Sequence, residues 1–409
     1  MSVTIEDIRT AAAAIQGEVV RTPIVPATRL SQELGCEIYL KLESLQFTGS
    51  FKDRGALVKL KSLTPQQAEA GVIAMSAGNH AQGVAYHAQR LGIPSVIVMP
   101  EFAPFSKVER TRGFGARVVL TGDTLDASAV AAREIAEQEG LSFVHPYDDE
   151  KIIAGQGTIG LEMLSDVPEL DTIVVPIGGG GIISGIATAA KALKPDIKII
   201  GAEAQLFPSM FQAIHKMQPT AGGTTLADGI AVKNPGKLTR AIIEELVDEI
   251  ILVDEPAIET AVMKLCELQK VVAEGAGAAG IAALLSWPDH CKGRKVGVVI
   301  CGGNIDVRLL SAVLSRGMVR DGRLVRLRVD IIDQPGVLAK LAQLIGQTGA
   351  NIIEVFHQRL FYNVPAKQAE IDVIVETRNA DHVHEIIQSL RAGGFPTRVL
   401  SAHSEDSGS

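Results

Sequence analysis

The chain has no long hydrophobic run, no block of lysines and arginines, and only four cysteines. Each shortage removes a class of function. A membrane-spanning helix needs roughly 20 consecutive apolar residues, and no segment approaches that. A nucleic-acid surface needs a concentrated basic face, whereas the formal net charge here is -8, so nucleic acid is not an expected partner. Cys36, Cys266, Cys291 and Cys301 lie far apart with no CxxC spacing, which argues against a disulfide framework or a zinc site and for free thiols in a reducing compartment. The N-terminal stretch MSVTIEDIRTAAAAIQGEVV carries acidic residues and lacks the basic-then-apolar order of a signal peptide. A cytoplasmic protein is expected.

What is present points to a large α/β protein. The 409 residues suffice for two to three domains, and 46% hydrophobic against 21% charged residues is a globular profile. Short β-branched runs alternate with Ala-rich helical stretches, the signature of βα units and a mostly parallel sheet. The pattern predicts strands at 71–75, 95–99, 117–120, 172–177, 197–202 and 296–300, with helices at 83–91, 107–114 and 182–193. An open α/β body fits the first 315 or so residues. The polar, Gly-bearing segment SRGMVRDGR then changes the character. After it come strand 324–332, turn DQPG, helix 337–348, strand 351–361, loop YNVPAK, strand 369–377, helix 380–392 and strand 397–402. That βαββαβ order is a ferredoxin-like unit able to fold alone. The tail 404–409 should fray.

Four local features carry chemistry. Strand 172–177 runs into Gly178, Gly179, Gly180 and Gly181 and then directly into a helix, so bare backbone N–H groups can converge on an anion at a helix N-terminus. Phosphate is the natural occupant, although a tight turn would need one or two of those glycines anyway. The run matches neither GxGxxG nor the Walker pattern, which disfavours dinucleotides and nucleoside triphosphates. In FTGSFKDRGA, Lys52 sits beside an Asp53–Arg54 pair that could satisfy one another. Taken alone, it reads as a solvated lysine at a helix end, since reactivity needs a burial that sequence does not display. In MSAGNHAQGVA, Ser76 or Asn79 could simply cap the following helix. In VVICGGNID, a buried strand delivers Cys301, Gly302, Gly303 and Asn304 to its C-terminal end, where parallel sheets bind ligands. A lone cysteine there is commonly inert core, and His80 a structural hydrogen-bonder.

Together and in order, SFKDRGA, SAGNHAQGVA, GGGG and CGGN resemble the fold-type II pyridoxal-phosphate enzymes, closest to the threonine/serine ammonia-lyases. The resemblance covers nearly the whole chain, because the C-terminal unit is similar to an ACT regulatory domain. It implies a catalytic domain over 1–320, built of two open α/β subdomains with the smaller, mobile one at about 46–149, and an ACT-like domain over 323–403. It further implies that Lys52 carries pyridoxal 5'-phosphate as a Schiff base and removes the Cα proton, with Phe51 packed beside the ring. Gly178 to Gly181 would cradle the phosphate, Asn79 would bond the ring hydroxyl, and Cys301 would approach the pyridine nitrogen. Ser76, Ala77, Gly78, Asn79 and His80 would grip the substrate carboxylate, largely through backbone N–H groups.

A thiol at Cys301 cannot stabilise a pyridinium, which favours elimination over transamination. Related serine racemases carry a serine where this chain has Ala77, so racemisation should be weak or absent. The implied activity is conversion of L-threonine to 2-oxobutanoate and ammonia, with L-serine secondary. A 3-hydroxyaspartate lyase or a β-replacement or threonine synthase is the alternative. Glu203 matches a family cation ligand, mono- or divalent, but Ser209 stands near the place of the expected second acid. Asp228, Gly229 and Glu274 match pocket-lining segments and read equally as turn and cap residues. An amino-acid effector would bind the turn Asp333 to Gly336, unless the unit is purely structural. A homodimer or homotetramer is expected.

Overall fold

The apolar strands predicted at 172–177, 197–202 and 296–300 are buried almost throughout, as a parallel sheet covered by helices requires, whereas the edge strand Arg117–Leu120 is half-open to solvent. The computed structural model describes residues 3–358 and 368–400. These divide into two compact units at Ile305/Asp306. In the first, a six-stranded sheet runs in the order Ile24–Pro26, Glu37–Leu42, Lys295–Ile300, Thr172–Ile177, Lys198–Ala204, Glu249–Val253. All its pairings are parallel except that of the first two strands. Every residue of Thr172–Ile177 is buried.

A second sheet, parallel throughout, is ordered Arg117–Leu120, Ser95–Met99, Val72–Met75, Ser142–Phe143. It falls inside the stretch expected to form the smaller subdomain. Its core joins Val72, Ala74, Ile97 and Met99 to Ala81, Val84 and Ala88 of the helix Asn79–Leu91. That helix begins four residues before the predicted start, because the polar Asn79 and His80 occupy its opening turn.

In the second unit the strand Leu324–Ile332 alternates buried Val325, Leu327, Val329 and Ile331 with outward positions, the period of a one-faced sheet. The sheet order is Asn351–Gln358, Gln368–Glu376, Leu324–Ile332, Thr397–Val399, antiparallel throughout, with the helices Val337–Gln347 and Ala380–Ala392 supplying Leu341, Ile345, Ile386 and Leu390 to the core. This is the expected βαββαβ unit. The loop YNVPAK, the distal end of the strand before it, and the tail lie outside the described residues. Most of the polar segment SRGMVRDGR is helical, so the change of character there is not a break in secondary structure. It lies largely within the helix Val307–Arg320, capped by Asp306 accepting from the N–H of Leu309 and turning Val313 and Gly317 inward at i, i+4 spacing.

The cysteines are not all far apart. Cys36 and Cys291 are both buried with their Sγ atoms 3.3 Å from each other. Parallel pairing of Glu37 with Lys295 brings the starts of two strands together and the preceding thiols with them. Among the described residues, no helix is long and apolar enough to cross a membrane.

Candidate active site

The strands Val72–Met75, Thr172–Ile177 and Lys295–Ile300 deliver the three loops of the site at their C-terminal ends. Lys52 opens the helix Lys52–Lys61, and its Nζ donates to the carbonyl of Pro146 at 2.6 Å. Phe51 is buried, with its ring centre 5.0 Å from Nζ, and the Phe51 N–H donates to the carbonyl of Cys301 at 3.0 Å. Burial lowers the Lys52 pKa from 10.5 to about 8, partly offset by the nearby Glu274 carboxylate. Burial likewise pushes the Cys301 thiol up, so it stays neutral. A lysine so placed is no solvated helix-end residue.

A neutral amine is the nucleophile toward an aldehyde, and this one loses its proton near pH 8 rather than near 10.5. The chain freed of cofactor should therefore take up an aldehyde cofactor at a rate that climbs with pH and levels off just above 8. Stopped-flow absorbance would measure it. A rate still climbing through pH 10 would contradict the depressed value.

Asn79 lies at the first turn of its helix, where its own N–H and those of His80 and Ala81 have no intrahelical acceptor. Ser76 Oγ accepts from the N–H of Gly78 at 3.1 Å and shapes the loop that aims these donors. The His80 ring is buried and bonded to the Val144 carbonyl at 2.9 Å; desolvation and the Lys52 charge hold its pKa down to about 3. It is thus a neutral structural group whose backbone alone faces the loop. The Asn79 amide nitrogen donates to Glu274 Oε1 at 2.6 Å, and its oxygen accepts from Asn304 Nδ2 at 2.8 Å. Burial and the nearby Asp228 carboxylate raise Glu274 to about 7. Asp228 itself is exposed and pairs with Lys107 at 2.7 Å.

The glycine turn is built for close approach. Gly180 is left-handed at φ +93° and caps the helix Gly181–Leu193. A Cβ on Gly179 would lie 2.2 Å from the Tyr147 ring. Gly179, Gly180 and Gly181 are buried, and among the described residues no protein oxygen accepts from their N–H groups. Buried unpaired N–H groups at a helix N-terminus call for an anion. These residues therefore fit a phosphate-bearing aldehyde: donors for the phosphate, a weakly basic amine for the aldehyde, an amide and an apolar ring for the body.

Other expectations change. Asp53 and Arg54 do not satisfy one another. Asp53 accepts from Thr48 through N–H and hydroxyl, while the fully buried Arg54 forms paired bonds to Glu43 and Glu162, the latter shared with Lys41. Glu203 spends both oxygens on the N–H groups of Met210 and Phe211, and Ser209 bonds the Val232 carbonyl. Among the described residues no cluster of three acidic, histidine or cysteine side chains is poised for a metal. Sequence reasoning overlooked Pro146 and Tyr147. Their loop follows strand Ser142–Phe143 at a parallel-strand end, and that rule would have flagged them; Asn304, placed at such an end by the sequence, gains its partners Thr48 and Asn79 here.

Residues 15–302 match the family model described as pyridoxal-phosphate dependent enzyme, and residues 321–393 match the ACT domain. The L-threonine ammonia-lyase of Thermotoga maritima is 46% identical over 400 residues, spanning 97% of this chain and 100% of that one. Among solved structures, the processed form of threonine deaminase isoform 2 from Solanum lycopersicum superposes with a TM-score of 0.72 at 34% identity, covering 77% of this chain and 87% of that one. Serine racemase from Dictyostelium discoideum gives a TM-score of 0.71 at 36% identity, covering 75% and 100%.

Proposed function

The chain belongs to the pyridoxal-phosphate dependent enzymes of fold type II, with an ACT domain at its C-terminal end, and on that premise we propose that it is a threonine ammonia-lyase. It converts L-threonine to 2-oxobutanoate and ammonia, with L-serine as a secondary substrate. The observation that carries this reading is the set of buried, unaccepted N–H groups of Gly179 to Gly181, standing at the same strand ends as the Lys52 amine. When bound, pyridoxal phosphate supplies an aldehyde to hold the amino group and a ring to draw electrons from Cα.

The chain's residues do the rest. The glycine N–H groups and the helix dipole hold the phosphate. Asn79 would bond the ring hydroxyl and Phe51 would pack beside the ring. The N–H groups opening the helix Asn79–Leu91 hold the substrate carboxylate. Lys52, weakly basic through burial, takes the Cα proton at Nζ. Ala77 offers no hydroxyl to return a proton from the other face, so racemisation is weak. The neutral Cys301 thiol would offer the ring nitrogen no carboxylate, which would favour elimination of the β-hydroxyl. An amino-acid effector at the Asp333 to Gly336 turn regulates the reaction. The enzyme is cytoplasmic and homo-oligomeric, a reading supported by its unpaired thiols and by Ile353, Val355 and Phe356 exposed on the edge strand Asn351–Gln358.

Incubating the loaded protein with L-threonine, L-serine and threo-3-hydroxyaspartate in parallel, while following 2-oxo acid, tests the substrate. Threonine should be fastest. A 3-hydroxyaspartate preference would need a cation for its second carboxylate, and Arg110, two hydrogen bonds from Asn79, is already committed to Asn304. Silence with threonine would overturn the reading.

A further inference from the structure

A directed chain of hydrogen bonds runs from an exposed guanidinium into the site. Arg110 Nη1, on the helix Phe105–Gly113, donates to Asn304 Oδ1 at 3.0 Å. Asn304 Nδ2 donates to the Thr48 carbonyl at 2.7 Å and to Asn79 Oδ1 at 2.8 Å. Asn79 Nδ2 donates to Glu274 Oε1 at 2.6 Å. An amide can face either way, so its partners decide its orientation. Arginine only donates and a carbonyl only accepts, so Arg110 and Thr48 together leave Asn304 one orientation. Asn79 must then present oxygen to Asn304 and nitrogen to Glu274. The packing leaves no slack: a Cβ on Gly49 would come within 2.8 Å of Asn304 Oδ1, and one on Gly302 within 2.2 Å of Glu274 Oε1.

We propose that Asn304 is a positioning residue that locks the orientation of the Asn79 amide, and that Arg110 couples this lock to the helix Phe105–Gly113. A flipped Asn79 would turn oxygen toward Glu274 and lose its donor toward the cofactor ring. The chain joins a cation to a carboxylate, so each bond polarises the next in the same sense. Glu274, at about 7, keeps the acceptor end responsive to charge at the other. The same helix makes a second contact through Lys107 and Asp228, so its placement is felt at two points around Glu274. Cofactor grip thereby depends on where this helix rests.

This rests on the proposed function only in taking pyridoxal phosphate as the ligand. The test measures the cofactor's dissociation constant by fluorescence titration of the cofactor-free chain, together with kcat and KM for threonine and the melting midpoint. Asn304→Ala should weaken cofactor binding about tenfold and Arg110→Gln about three- to fivefold, magnitudes of one lost bond to a fixed polar group. Arg110→Lys should recover most of the loss, since lysine keeps the positive charge and the reach that glutamine lacks. The double variant should be no worse than Asn304→Ala alone, because Arg110 acts only through Asn304. Melting midpoints should stay within a few degrees, and kcat should fall more than KM rises. Unchanged cofactor affinity in Arg110→Gln, or losses that multiply in the double variant, would overturn the proposal. The expected affinity pattern with no threonine turnover in the parent chain would instead sink the lyase assignment and leave the lock standing.

Discussion

Alanine in place of Lys52 should leave a folded protein with no measurable ammonia release from threonine, a loss of at least about 10⁴-fold, the upper end of what one positioned acid–base group contributes. Two separate losses coincide there. The aldehyde loses its amine, and Cα loses the lysine whose Nζ sits on the Pro146 carbonyl beside Phe51 and within the field of Glu274. Folding should survive, because the groups that anchor this helix are its neighbours. Asp53 ties back to Thr48, and Arg54 is held by Glu43 and Glu162. Far-ultraviolet circular dichroism and an oxo-acid assay on one preparation separate the effects. Residual turnover above about one part in a thousand would point to another base.

A second large loss should follow from Gly179→Ala. The new methyl would meet the Tyr147 ring at 2.2 Å, far inside any real contact. Either Tyr147 leaves, breaking its 2.9 Å bond to the Asn234 carbonyl, or the turn shifts and its N–H groups diverge. Overpacking of this kind costs about 1–3 kcal/mol. Charged to the bound state, that is roughly a five- to 160-fold loss of cofactor affinity. Adding Tyr147→Ala should restore part of the affinity by opening the space. Full affinity in Gly179→Ala alone, by fluorescence titration, would show that the turn does not hold the phosphate.

Much of this site is legible in the sequence because its anchors are backbone features. A glycine run between an apolar strand and a helix can be recognised without a partner, and the strands 95–99, 117–120 and 172–177 fall where their periodicity puts them. Features that depend on distant partners are not legible in this way. Arg54 stands next to Asp53 in the chain, yet its acceptors lie 11 and 108 residues away, and adjacency misleads because successive helix residues point in different directions. The Cys36–Cys291 contact spans 255 residues and exists only because two strands pair in register. Gly317 and the arginines around it show only as a polar, Gly-bearing stretch, but one inward face suffices to make the helix Val307–Arg320. The burial that lowers Lys52 to about 8 involves distant residues such as Pro146, 94 positions away, and has no local signature.

The most direct test of the role given to Lys52 is borohydride reduction of the cofactor-loaded chain, followed by proteolysis and mass spectrometry of the peptides. A single phosphopyridoxyl adduct on Lys52 is the predicted result. An adduct on another lysine, with Lys52 recovered unmodified, would contradict it.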